Sequence, residues 1–169
     1  MNKPEKYTEV TDTLEDILKK DGLSLEKLKG LSYHSNLGIR LKKNLHYFDK
    51  DLLFKELDEV NAWYDCCDGL QDIVTDYRIK SIQSARLKFE RYYLDHQMGK
   101  VFNDMLGFCA LCDNYEDVLR LSECENIRVA DMSMGKAYDD GYRGIHVYYQ
   151  LSSYHYPIEI QITPTMTGN

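Results

Sequence analysis

The stretch Pro157-Ile158-Glu159-Ile160-Gln161-Ile162 alternates strictly between branched apolar and polar side chains. Strand side chains point to opposite faces at period two, so three isoleucines share one face while Glu159 and Gln161 share the other. The solid apolar face predicts a core strand. Two readings of the polar face stand open. It is plain solvent-side alternation, or it is a cleft in which Glu159 serves as a metal ligand or as a base toward a hydroxyl.

Working back along the chain, Gly144 to Leu151 predicts a second strand, joined to the first through Ser152-Ser153-Tyr154-His155-Tyr156 as a hairpin. His146 and Tyr148 share one of its faces. Asp139-Asp140-Gly141 is a turn signal, and Tyr142 after it offers a flat ring on which a base could stack. Strands are also predicted over Ile73 to Lys80, Asp104 to Asp113 and Ile127 to Met132, with helices over Ser81 to Leu94 and Tyr115 to Leu121. Upstream of Gly69 the period is helical. Leu14, Ile17 and Leu18 mark one amphipathic segment, and Leu52, Leu53, Leu57, Val60 and Trp63 mark another. The expected class is therefore α+β with α/β-like character: a helical segment over residues 1–70 packed on a mixed-sheet core over residues 71–169.

The composition narrows the function. The chain has 169 residues, 29% charged and 43% hydrophobic, an ordinary globular balance. No run approaches the roughly eighteen apolar residues of a membrane span, so no membrane partner is expected. Five cysteines, two of them adjacent at Cys66 and Cys67, point to a reduced, cytoplasmic protein. Cys109 and Cys112 form a CxxC without a second pair at zinc spacing, so thiols without a metal are expected there. The net charge of −7 argues against a broad nucleic-acid surface. Against that background, Arg78, Lys80, Arg86, Lys88 and Arg91 concentrate five cations within fourteen residues. Arg78 and Lys80 share a strand face, and Ser84 and Lys88 share a helix face at four-residue spacing. They suit a polyphosphate cradle at a helix start, with a solvated basic helix face as the plainer alternative. Asp104, at the edge of the next strand, is a candidate Mg²⁺ ligand or a simple cap.

These pieces, in this order, resemble the synthetase domain of the RelA/SpoT family, particularly its small single-domain members. Arg78, Lys80, Ser84 and Lys88 match the basic strand-to-helix motif around ATP. Asp104-Met105-Leu106-Gly107 resembles the DxxG motif whose Asp binds magnesium. Gly141-Tyr142-Arg143-Gly144-Ile145-His146 resembles GYRSxH, whose Tyr stacks on the acceptor guanine, and Glu159-Ile160-Gln161-Ile162 matches EIQI. The resemblance covers about Tyr77 to Ile162. It implies a nucleotidyltransferase-like mixed sheet of about five strands flanked by helices. It further implies Mg²⁺-dependent transfer of the β,γ-pyrophosphate of ATP to the 3′-hydroxyl of GDP or GTP, with Asp104 and Glu159 as catalytic and metal residues. Tyr142, His146, Gln161, Lys136 and Arg143 would hold the guanine nucleotide, and a homo-oligomer is among the expected assemblies.

The chain also departs from the pattern. Cys109 and Thr163 stand where the family carries arginines, and Tyr138-Asp139-Asp140 replaces a Lys-x-Asn, with Lys136 displaced. The sequence ends soon after the last strand, where relatives continue into helices, which suggests truncation at the C-terminus. Two further readings follow: the same donor chemistry directed at a tRNA 3′ end, and a non-catalytic nucleotide-binding module.

Overall fold

The computed structural model describes residues 15–16, 18–19, 22–70, 76–112, 115–132 and 144–164. Among the described residues the main elements run in the order α1 (Leu25–Gly30), α2 (Lys50–Asp65), β1 (Tyr77–Ile79), α3 (Ile82–Tyr92), α4 (Met98–Val101), β2 (Leu106–Cys112), α5 (Tyr115–Leu119), β3 (Ile127–Met132), β4 (Gly144–Tyr149) and β5 (Ile158–Pro164). The strands form one mixed sheet in the order β1-β2-β5-β4-β3. Only β2 and β5 run parallel; the other three pairings are antiparallel. The class is α+β, as the alternation of strand and helix patterns predicts.

Register decides what each face carries. Tyr77, Phe108, Ile160, Val147 and Val129 fall in one transverse row. Phe108, Ile160 and Val147 are buried in the core, together with Ile158, Ile162 and Ile145. The opposite face carries Arg78, Gly107, Glu159, Tyr148 and Arg128 as a row across all five strands. A second row on that face pairs Cys109 with Gln161, Gln161 with His146, and His146 with Ala130. Glu159 is itself buried, so its face is not simple solvent-side alternation. Cys109 is exposed and Cys112 buried, as expected for strand residues three apart, which project from opposite faces.

The helices follow their caps. Ser24, Asp49 and Ser81 each accept a hydrogen bond from the backbone N–H three residues on, closing the first turns of α1, α2 and α3. Helix α2 buries Leu53, Leu57 and Val60, but Leu52 is 55% exposed and Trp63 37%. Glu56 and Tyr64 are buried in their place, so the apolar stripe read from sequence is rotated by a residue. α3 ends at Tyr92, short of the predicted Leu94, and β1 is placed over Tyr77–Ile79, with residues 73–75 of its predicted span outside the described residues. The 139–141 turn lies outside the described residues. Among the described residues no helix is long and apolar enough to cross a membrane.

Glu56 binds α2 to the loop before β5. Its carboxylate accepts from Ser35 Oγ at 2.8 Å, Asn36 N–H at 2.6 Å and Tyr156 Oη at 2.8 Å. Removing one donor from a buried charged acceptor costs ~1.5–3 kcal/mol. Tyr156→Phe should therefore lower the unfolding free energy by that amount, seen as a lower urea midpoint at unchanged slope; an unmoved midpoint would show that the Tyr156 bond to Glu56 contributes nothing.

Candidate active site

Asp104 lies between α4 and β2, one-tenth exposed, with cations gathered around it. Lys80 Nζ is 2.7 Å from Oδ2, Lys88 Nζ is 3.3 Å from Oδ1, and Arg78 Nη2 stands 3.8 Å from Oδ2. Lys80 is pinned by its backbone: its N–H donates to the Met105 carbonyl, and its own carbonyl accepts from Asn61 Nδ2 of α2. Lys88, one turn beyond Ser84 on α3, also donates to the Val101 carbonyl. Three cations around one carboxylate leave this corner net positive in a chain of net negative charge.

Burial by itself pushes the Asp104 carboxyl up. The Lys80 hydrogen bond and the Lys88 and Lys80 charges outweigh it and hold the group below the ordinary carboxylate value.

Glu159 is fixed from two sides. Tyr148 Oη donates to Oε2 at 2.9 Å and Gln161 Nε2 donates to Oε1 at 3.0 Å. His146 Nδ1 lies 3.1 Å from Tyr148 Oη and 3.6 Å from Glu159 Oε2. Burial, then the Glu159 charge and its hydrogen bond, push the Tyr148 phenol well up, so at neutral pH it remains a donor to Glu159.

Both carboxylates line one cleft of about 600 Å³. The sheet supplies Arg78, His146, Tyr148, Glu159 and Gln161; Lys88 and Tyr92 of α3, and Lys100 of α4 with Asn103 and Asp104 beyond it, form the other wall. Gly107 stands between Arg78 and Glu159 in the sheet register, and a Cβ there would meet Glu159 Oε1 at 3.7 Å. The glycine therefore keeps a methyl out of contact with the carboxylate, although no backbone clash demands it.

The predicted residues are thus partly brought together. Arg78, Lys80, Lys88, Asp104, His146, Glu159 and Gln161 converge on this cleft or its edge. Ser84 does not line it: the residue is exposed and bonded to the Ser81 cap. Arg86 turns away toward Asp58 on α2 and the ring of Phe54, so the basic run splits between the cleft and a helix pairing. Lys136, Tyr142 and Arg143 lie outside the described residues. Sequence reading missed Tyr92, Lys100 and Asn103, which belong to no motif and reach the cleft only through the packing of α3 and α4.

No family model matches the chain, and no curated protein matches it in sequence. The solved structures similar to it include the following three. All three are of small alarmone synthetase 1 from Bacillus subtilis: one bound to its product pppGpp (22% identity, TM-score 0.36), one without a named ligand (21%, 0.34) and one bound to AMPCPP (20%, 0.31). Each match covers 68% of this chain, and 66, 70 and 63% of theirs, so against two of them the chain spans less than two thirds of the length. At such TM-scores the chemistry must be read from the chain's own residues.

The depressed Asp104 carboxyl fixes the sign of a pH effect. Its contribution to stability is present above the unfolded value of ~3.9 and is lost as pH falls through the lower folded value. Asp104→Asn should cost ~1.5–3 kcal/mol at pH 7 by urea unfolding. The gap between wild type and variant should close as pH drops below about 4. A gap that stays constant with pH would mean that Asp104 gains nothing from its lysines.

Proposed function

We propose that the chain is a pyrophosphokinase of the alarmone-synthetase type, moving the β,γ-pyrophosphate of ATP to the 3′-hydroxyl of GDP or GTP. The observation carrying this reading is the placement of two buried carboxylates, in unlike surroundings, on one cleft: Asp104 among cations and Glu159 among neutral donors. The order of the four motifs supports the same assignment.

In this reading Arg78, Lys80 and Lys88 meet the ATP phosphates, which would draw the lysines off Asp104 toward the incoming anion. Glu159 faces the acceptor, takes the proton of the 3′-hydroxyl, and leaves its oxygen to attack the β-phosphorus. The bond from that phosphorus to the α,β-bridging oxygen breaks, and AMP departs. His146 and Gln161 orient the acceptor, with Lys136, Tyr142 and Arg143 as its further contacts. Most of the acceleration comes from positioning and fixed charge.

The donor set suits magnesium. Two carboxylates on one cleft is the share a protein usually contributes, with substrate phosphates and water completing the shell. Among the described residues no group of three or more His, Cys, Asp or Glu could hold a metal unaided. Asp104 and Glu159 would hold the ion, which when bound supplies charge neutralisation on the phosphate oxygens.

A second reading, nucleotide binding without transfer, draws on the fact that both Asp104 oxygens are already engaged by lysines. The two part in one experiment. Incubation with γ-labelled ATP, Mg²⁺ and GDP or GTP should place label on the guanine nucleotide, and Glu159→Gln should lower the rate ~10²–10⁴-fold. Nucleotide binding with no label transferred would leave the binding module as the function.

A further inference from the structure

Beside the cleft, across Lys100 and Tyr148, lies a separate pocket of about 390 Å³ to which no role has been given above. Lys42 from the loop before α2, Lys100 from α4 and Arg128 from β3 all line it, and among the described residues no Asp or Glu does. In a chain with 28 acidic residues against 21 lysines and arginines, three cations without an acidic neighbour are a concentrated exception. None of the three is paired with a carboxylate among the described residues.

The pocket is built by close backbone packing. Gly99 N–H donates to the Leu41 carbonyl at 2.7 Å, Met98 N–H to Lys43 at 2.9 Å, and Leu41 N–H to Ser153 at 2.7 Å. A Cβ at Gly99 would lie 3.2 Å from both Leu41 Cβ and the Leu41 carbonyl oxygen. Glycine at this position lets α4 lie close against the loop, which sets Lys100 beside Lys42. Arg128 is held over the Tyr148 ring, 4.3 Å from its centroid, and that stacking leaves the guanidinium N–H groups free to donate in its plane.

We propose that this pocket is a second polyphosphate-binding site, distinct from the Arg78, Lys80 and Lys88 corner. Its volume suits a small molecule, not a polymer. The shared chemistry is a chain of two or more phosphates, whether free pyrophosphate or the phosphate tail of a nucleotide. Convergent cations without carboxylates recognise that chemistry with little regard to what the phosphates carry. The site does not depend on the transfer reaction, because its ligand is held by Lys42 and Arg128, which take no part in that reaction.

Amide NMR on the full chain tests the proposal. Titration with inorganic pyrophosphate should shift the Gly99, Lys100 and Arg128 amides saturably, separately from those of Ser81 to Ser84 at the donor corner. Lys42→Gln/Arg128→Gln should weaken binding at the first set at least about tenfold and leave the second unchanged; Lys80→Gln should do the reverse. GDP in place of pyrophosphate reports the source: tighter binding at the same amides assigns the site to a nucleotide tail, and equal or weaker binding assigns it to free pyrophosphate. If the Gly99, Lys100 and Arg128 amides stay still with both ligands, or respond only to Lys80→Gln, there is no second site.

Discussion

The parallel register between β2 and β5, with Gly107 opposite Glu159, fixes everything functional on the open face of the sheet. A shift of one residue would turn Ile158, Ile160 and Ile162 out of the core and bury Gln161 in their place. That cost is large, since each buried isoleucine contributes roughly 1.5–3 kcal/mol, so the apolar face locks the polar one. Once the register is set, Arg78 and Arg128 lie at opposite ends of one row with Glu159 at its middle. At about 4.8 Å per strand, each arginine strand stands roughly 10 Å from β5. A single carboxylate is thereby flanked by two separate cationic regions.

Electrostatics gives that row its sense. The chain as a whole repels anions, yet its cations near the cleft are collected where acidic residues are scarce, with Asp104 and Glu159 as the exceptions. Withdrawing Asp104 from water would be costly alone; Lys80 and Lys88 make it tolerable, and Asp104 in turn holds two flexible ammonium groups in place before any phosphate arrives. Preorganisation of this kind lowers the entropy lost when an anion binds.

Much of this was legible in the sequence where a local rule had no competitor. The alternation of Ile158, Ile160 and Ile162, the Ser81 cap and the extent of β3 all follow from nearest-neighbour chemistry. The α2 stripe holds at Leu53, Leu57 and Val60 but not at Leu52 and Trp63, since Glu56 takes an inward position through three hydrogen bonds from distant residues, which no helical period can announce. Ser84 lies apart from the cleft lining, with its hydroxyl bonded locally to Ser81. Lys42, Lys100 and Arg128 are each unremarkable in their own segments, and only the packing of Gly99 on Leu41 and the pairing of β3 with β4 bring them to one pocket. Motif reading finds residues that are close in sequence; sites assembled by packing escape it.

The two carboxylates show how one cleft separates roles by environment. Asp104 takes ammonium groups on both oxygens and is held deprotonated by them. Glu159 receives one neutral donor on each oxygen, from Tyr148 and Gln161. An ionised carboxylate has about four acceptor sites, so two remain for a hydroxyl or a hard cation. Tyr148 is the pivot of this arrangement: its hydroxyl orients Glu159, while its ring carries Arg128 of the neighbouring pocket. Replacing it by a β-branched residue would preserve the strand and remove both functions together, leaving Glu159 with one fixed oxygen and Arg128 without a surface to rest on.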